Sequence, residues 1–175
     1  VRRAFQLANQ AMQIQAAWAR GIPSGVPENS DAILRWRPFQ LGFALMCIRS
    51  FYEPTHDDRS VLDLIWFPTG GGKTEAYLLV ASFLMFHRRL IDREKSSCFG
   101  TAVLMRYTLR TLTVQQFQRA AALLCACEVV RSGVANENGE LGDRKFSIGL
   151  WVGEPTTPNK TETAIGVLGT DSEST

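Results

Sequence analysis

The stretch Phe67-Pro68-Thr69-Gly70-Gly71-Gly72-Lys73-Thr74-Glu75 brings together residue types that handle polyphosphates. Consecutive glycines let several backbone N–H groups converge on anionic oxygens, and a helix opening at Lys73 adds the positive end of its dipole. The Lys73 ammonium suits the β- and γ-phosphates of a nucleoside triphosphate, and the Thr74 hydroxyl suits Mg²⁺. Thr69, Gly70, Gly71, Gly72, Lys73 and Thr74 are therefore the candidate residues for ATP and Mg²⁺, with Lys73 and Thr74 the candidate catalytic pair. The strict pattern G-x-x-x-x-G-K-[ST] has glycine where this chain has Phe67. Each glycine costs about 0.5–1 kcal/mol in backbone entropy, and an ordinary turn needs only one. Three in a row point to a backbone that must approach something closely.

The elements around this turn set its expected geometry. The apolar run Val61–Trp66 precedes it and reads as a strand, and a long helical pattern follows Lys73. That helix is apolar on nearly every side, from Ala76, Leu79, Val80 and Phe83 round to Tyr77, Leu78, Met85 and Phe86, as a helix buried between layers should be. Further strands are expected at Thr101–Met105 and Phe146–Val152, with a long helix through Leu112, Phe117, Ala121 and Leu124 between them. Alternating strands and helices predict an α/β fold with a parallel sheet and the ligand at the strands' carboxyl ends. Upstream, Ala4, Leu7, Ala11, Ile14 and Trp18 form one helical stripe that stops at Gly21 and Pro23. Pro38 suits the first turn of a second helix running to about Ser50. Three parts are expected: residues 1–31 as a helix and loop, 32–159 as the partial ATP-binding domain, and 160–175 as a flexible tail.

Length and charge narrow the class. The 175 residues suffice for one domain with a core, and 45% are hydrophobic. The formal net charge of +2 excludes a generally basic nucleic-acid coat but not a local basic groove. Cys47, Cys98, Cys125 and Cys127 lack zinc or secreted-framework spacing and read as core thiols of a reducing compartment. The longest apolar run, Tyr77–Phe86, is too short for a bilayer, so a cytoplasmic protein is expected. The chain opens with Val1 inside a helical pattern and trails off after Thr161, which reads as part of a longer protein.

Three segments in this order resemble a superfamily 2 helicase, and most of residues 1–159 resemble the helicases of the DISARM anti-phage system. Arg37-Pro38-Phe39-Gln40 is similar to the upstream glutamine motif, residues 67–75 to motif I, and Tyr107–Gln115 to motif Ia. The resemblance implies a partial RecA-like domain and ATP hydrolysis coupled to movement on nucleic acid, DNA first, in anti-phage defence alongside other defence-system proteins. It further implies that Gln40 hydrogen-bonds adenine and that Thr108 and Arg110 lie beside the nucleic-acid strand or brace the loop that does. Thr108 stands where related helicases often carry proline. No Asp-Glu pair ends a downstream strand, and the arginine finger and second motor lobe have no counterpart here. Phosphoryl transfer needs such groups to stabilise its transition state, so the isolated chain is expected to bind ATP without measurable turnover.

Other functions compete. A small-molecule kinase would use the same phosphate turn, although such enzymes usually place it near the chain start, whereas 66 residues precede Phe67 here. A non-catalytic module could use nucleotide binding alone to order a partner surface. Several polar groups have ordinary readings. His56-Asp57-Asp58 is a solvated loop rather than a metal site, His87 continues an apolar stripe as a partly buried imidazole, and Glu75 favours the helix dipole.

Overall fold

Ala4, Leu7, Ala8, Ala11 and Ile14 are buried on one face of α1 (Arg2–Ala19) in the computed structural model. The structure describes residues 1–22, 34–68, 70–91, 100–107, 110–133, 139–151 and 160–170, with the backbone alone for 110–113 and 167–170. α1 ends in a paired-bond close: the Gly21 N–H donates to the Trp18 carbonyl at 2.9 Å and the Ile22 N–H to the Ala17 carbonyl at 3.0 Å. Those bonds satisfy two of the carbonyls that a helix end leaves bare.

The segment before α2 (Pro38–Tyr52) is moored to α1. The Gln13 amide exchanges two bonds with the Leu34 backbone, each 3.0 Å, and the Trp36 indole N–H donates to Asn9 Oδ1 at 2.7 Å. Pro38 opens α2 because its missing N–H is not needed in the first turn. The Arg37 N–H donates to Gln40 Oε1 at 2.8 Å, one half of a capping box. α2 leads through a short 3₁₀ turn, Asp57–Ser60, into an extended stretch and then the glycine turn.

α3 (Lys73–Ile91) is the central element, packed against α1, α2 and α4 (Arg110–Ser132). Its Leu78, Leu79, Phe83 and Phe86 join α1's stripe and Leu123, Ala126, Cys127 and Val130 of α4 in one core. The near-complete burial expected of this helix is met by neighbouring helices. His87 is 4% exposed and stacks on Phe83 with ring centroids 5.3 Å apart. Cys47 and Cys127 are buried as expected of core thiols, but Cys125, two residues from Cys127 on α4 and so on a different face, is exposed, and Cys98 lies outside the described residues. The segment expected as a tail carries α5 (Thr161–Thr170).

The expected α/β architecture with its parallel, RecA-like sheet is not formed: the described residues are helical, without strands. None of the three expected strands forms over its described residues, 61–66, 101–105 and 146–151, whereas Val152 lies outside the described residues. A strand needs a lateral neighbour to satisfy its N–H and C=O groups. No backbone–backbone hydrogen bond joins residues 62–66, 101–107 or 146–151 to another described segment. Many of their side chains face outward, with Leu62 93% exposed, Trp66 90% and Leu104 89%, whereas Met105 and Phe146 pack partly against the core. Helix-on-helix packing supplies the core instead.

Candidate functional site

The glycine turn is held by α2 on one side and by its own lysine on the other. Gly71 is buried, and a Cβ there would fall 2.7 Å from the Phe67 ring and 3.0 Å from the Pro68 carbonyl oxygen. Gly72 has φ +89°, and a Cβ there would fall 2.7 Å from Gln40 Nε2. Gly71 is favoured for space, against a ring and a backbone oxygen, and Gly72 chiefly for its backbone conformation, since the Gln40 side-chain end could shift. The crowding comes from a brace. The Gln40 side-chain N–H donates to the Gly72 carbonyl at 2.8 Å, and the Arg37 guanidinium to the Gly71 carbonyl at 2.9 Å. Phe39 stacks on Phe67 with centroids 3.9 Å apart and planes inclined by 15°.

Within the turn, Lys73 folds back. Its ammonium donates to the carbonyls of Phe67, at 2.5 Å, and Pro68, at 3.1 Å. The cation thus sits over the turn at the N-terminus of α3, where the first N–H groups of the helix lack intrahelical acceptors. Thr74 is half-buried in the same first turn, and its hydroxyl bonds no described residue. Glu75 pairs with Arg119 of α4, an ion pair across 44 residues of sequence. The other carboxylate oxygen of Glu75 lies 3.4 Å from the Cβ position of Gly72. Arg119 is fixed in turn by Gln15, whose amide donates to the Arg119 carbonyl at 3.1 Å. Burial pushes the Tyr107 hydroxyl up from its ordinary pKa, and the Arg119 charge acts against that rise. The glycine turn, α4 and residue 107 are thereby linked through one arginine.

Most sequence candidates gather at one place. Gly70, Gly71, Gly72, Lys73 and Thr74 are contiguous at the head of α3, and Gln40 lies against them. Thr69 and Thr108 lie outside the described residues, and Arg110 is described by its backbone alone, in the first turn of α4. Gln40 is 4% exposed with its amide oxygen and nitrogen both engaged, so here it serves the turn. Arg37, the Phe39–Phe67 stack and Arg119 were not among the candidates. Arg37 had a signal, since it stands three residues before Gln40 at a proline-opened helix start; Arg119 had none.

Elsewhere, polar groups are mainly structural. His56 Nδ1 accepts the Asp58 N–H at 3.2 Å and caps the 3₁₀ turn. Glu128 gathers Arg131, at 2.9 Å, and the Phe146 N–H, at 2.5 Å. Burial raises the Glu128 carboxyl, but these partners outweigh it and hold it below the ordinary range. Burial and the nearby Asp63 carboxylate push the Cys47 thiol up to about 11. Among the described residues, no helix is long and apolar enough to cross a membrane.

Comparison with known proteins gives one relative to report. No known family's profile matches the chain, and no solved structure does. A DISARM protein, DrmA of Bacillus paralicheniformis, is 39% identical over 165 residues. The match takes in 90% of this chain and 14% of DrmA. Over nine-tenths of its length, this chain is thus homologous to about one seventh of a DISARM protein.

Proposed function

We propose that the turn Gly70–Thr74 binds the phosphates of ATP together with Mg²⁺. The observation that carries the reading is the braced glycine pair at the head of α3. Two carbonyls of the turn are pulled aside by Arg37 and Gln40, at 2.9 and 2.8 Å, and a lysine ammonium is held at the opening. Turning carbonyls away from a site leaves N–H groups to face it, which suits an anion. The Gly71 N–H donates within the turn to the Pro68 carbonyl at 3.1 Å, so the N–H groups from Gly72 onward are the ones proposed to meet the phosphates. Lys73 would exchange two carbonyl partners for phosphate oxygens, and the Thr74 hydroxyl would ligate the metal. The residues fit such a ligand: the turn is too narrow for a Cβ at Gly71, and a cation lies across it.

In a longer DrmA-like polypeptide, this turn is the nucleotide-binding part of an ATP-dependent helicase or translocase acting on DNA in anti-phage defence. The likeness to DrmA supports that context, and Arg110 and Thr108 are the proposed DNA contacts. Bound ATP would supply the free energy of hydrolysis, while this chain's residues orient the phosphates and balance their charge. By itself the chain lacks a recognisable acidic group to activate water, so binding without turnover is the expected behaviour. Isothermal titration with Mg²⁺-ATP tests this: saturable binding abolished by Lys73→Ala supports the reading, and absence of binding overturns it. Mg²⁺-dependent steady-state turnover by these 175 residues, lost in Lys73→Ala, would refute the claim that the chain alone is inactive.

A further inference from the structure

A cleft of about 980 Å³ opens between α3, α4 and the irregular segments 100–107 and 144–151. Its inner wall belongs to the helices, with Leu78 and Met85 from α3 and Phe117 and Leu124 from α4. The flanking segments carry large apolar side chains into solvent: Leu104 is 89% exposed, Trp151 83%, Leu150 42% and Ile148 40%. Single exposed apolar residues are ordinary, but several along one cleft mark an interaction surface. The backbone of the same segments is open too, since residues 102–107 and 147–151 make no backbone–backbone hydrogen bond to another described residue. Backbone without backbone partners among the described residues, beside exposed apolar side chains, invites another polypeptide.

Charge narrows the occupant. Among the described residues, the lining includes Arg88, Arg89, Arg106, Arg144 and Lys145 and no acidic residue. Two of these cations already hold the walls. Arg88 donates to the Thr101 carbonyl at 2.9 Å, and Arg89 donates to the Lys145 carbonyl at 3.2 Å while its guanidinium lies 4.7 Å over the Phe146 ring. A single-stranded nucleic acid would want those arginines on phosphates and aromatic rings for its bases. Here the aliphatic side chains outnumber the four lining rings, Tyr107, Phe117, Phe146 and Trp151. Arg88 and Arg89 are already engaged by the protein, Arg89 over the Phe146 ring. The chain corresponds to 14% of the DrmA that it matches, which leaves most of such a polypeptide to be accommodated.

We infer that this cleft is the surface on which the remainder of a DrmA-like polypeptide packs, through an apolar segment with acidic rather than basic neighbours. The inference stands whether or not the glycine turn binds ATP. Hydrogen exchange followed by mass spectrometry tests it, comparing the 175-residue chain with the full reading frame that encodes it. Amides 102–107 and 147–151 should exchange within seconds in the chain alone and at least about 100-fold more slowly in the full polypeptide. Leu104→Asp should leave the helical circular dichroism of the chain unchanged and abolish that protection in the full polypeptide. The inference is overturned by equal exchange in both, or by a reading frame with nothing further to pack. Protection that appears only with single-stranded DNA, or through self-association of the chain seen by light scattering, overturns it as well.

Discussion

Replacing Gln40 by alanine separates two jobs that one side chain could hold. In the structure its amide accepts the Arg37 N–H and donates to the Gly72 carbonyl, each at 2.8 Å. Each such bond contributes about 1 kcal/mol net, so Gln40→Ala should cost about 2 kcal/mol. For a chain of this size that lowers Tm by about 4–8 °C. The bond to Gly72 also holds the turn open for an anion, and losing about 1 kcal/mol of that bracing weakens phosphate binding about fivefold. The brace acts on the phosphate end of a ligand, so ATP, GTP and inorganic tripolyphosphate should all weaken by the same factor. A residue that reads adenine would instead lose the preference for ATP over GTP and leave tripolyphosphate untouched. Thermal melts at 222 nm and titration with the three ligands give the answer. Unchanged Tm with unchanged tripolyphosphate affinity would refute the brace.

Other outcomes follow from the same geometry. Gly71→Ala should displace the Phe67 ring, which its Cβ would meet at 2.7 Å, and unstack Phe39; near-ultraviolet circular dichroism and tripolyphosphate titration would both register the change. Arg119→Ala should cost only about 0.5 kcal/mol in stability because the pair with Glu75 is partly solvated, at 38% and 29% side-chain exposure. It should nevertheless weaken ATP by about three- to tenfold, since an unpaired carboxylate then faces the phosphates; adding Glu75→Gln should restore binding, and no restoration would contradict the pairing argument. Acidification should lower Tm in two windows. Burial holds His87 below its ordinary pKa of 6.5, so the unfolded chain binds the proton first and stability falls as pH drops below about 6.5. Glu128, held below its ordinary 4.5, adds stability above that value and loses it as pH falls further; His87→Phe should flatten the first window and leave the second.

The helices were legible because their apolar spacing needs no distant partner to be recognised. Ala4, Leu7, Ala11 and Ile14 bury one face whatever they meet, and Pro38 marks a helix start locally. The glycine turn was legible in part for the same reason, since Gly71 answers crowding by Phe67 and Pro68 a few residues away, whereas the Gln40 contact at Gly72 comes from 32 residues upstream. The sheet was misread because a short apolar run such as Val61–Trp66 announces only that it wants cover. Whether cover comes as a paired strand is decided by segments elsewhere, and here none of the described ones provides it. Arg119 and Glu75 meet across 44 residues, a pairing that neither residue's surroundings in sequence foretell. Gln40 was singled out for chemistry, and the structure makes it a support whose two bonds no pattern could supply.

Amide shifts in a ¹⁵N NMR titration with inorganic tripolyphosphate and Mg²⁺ report on the turn itself. The largest shifts should fall on Gly71, Gly72, Lys73 and Thr74, and Lys73→Ala should abolish them. Shifts centred on any other part of the chain, or a spectrum unmoved at millimolar ligand, would contradict the account.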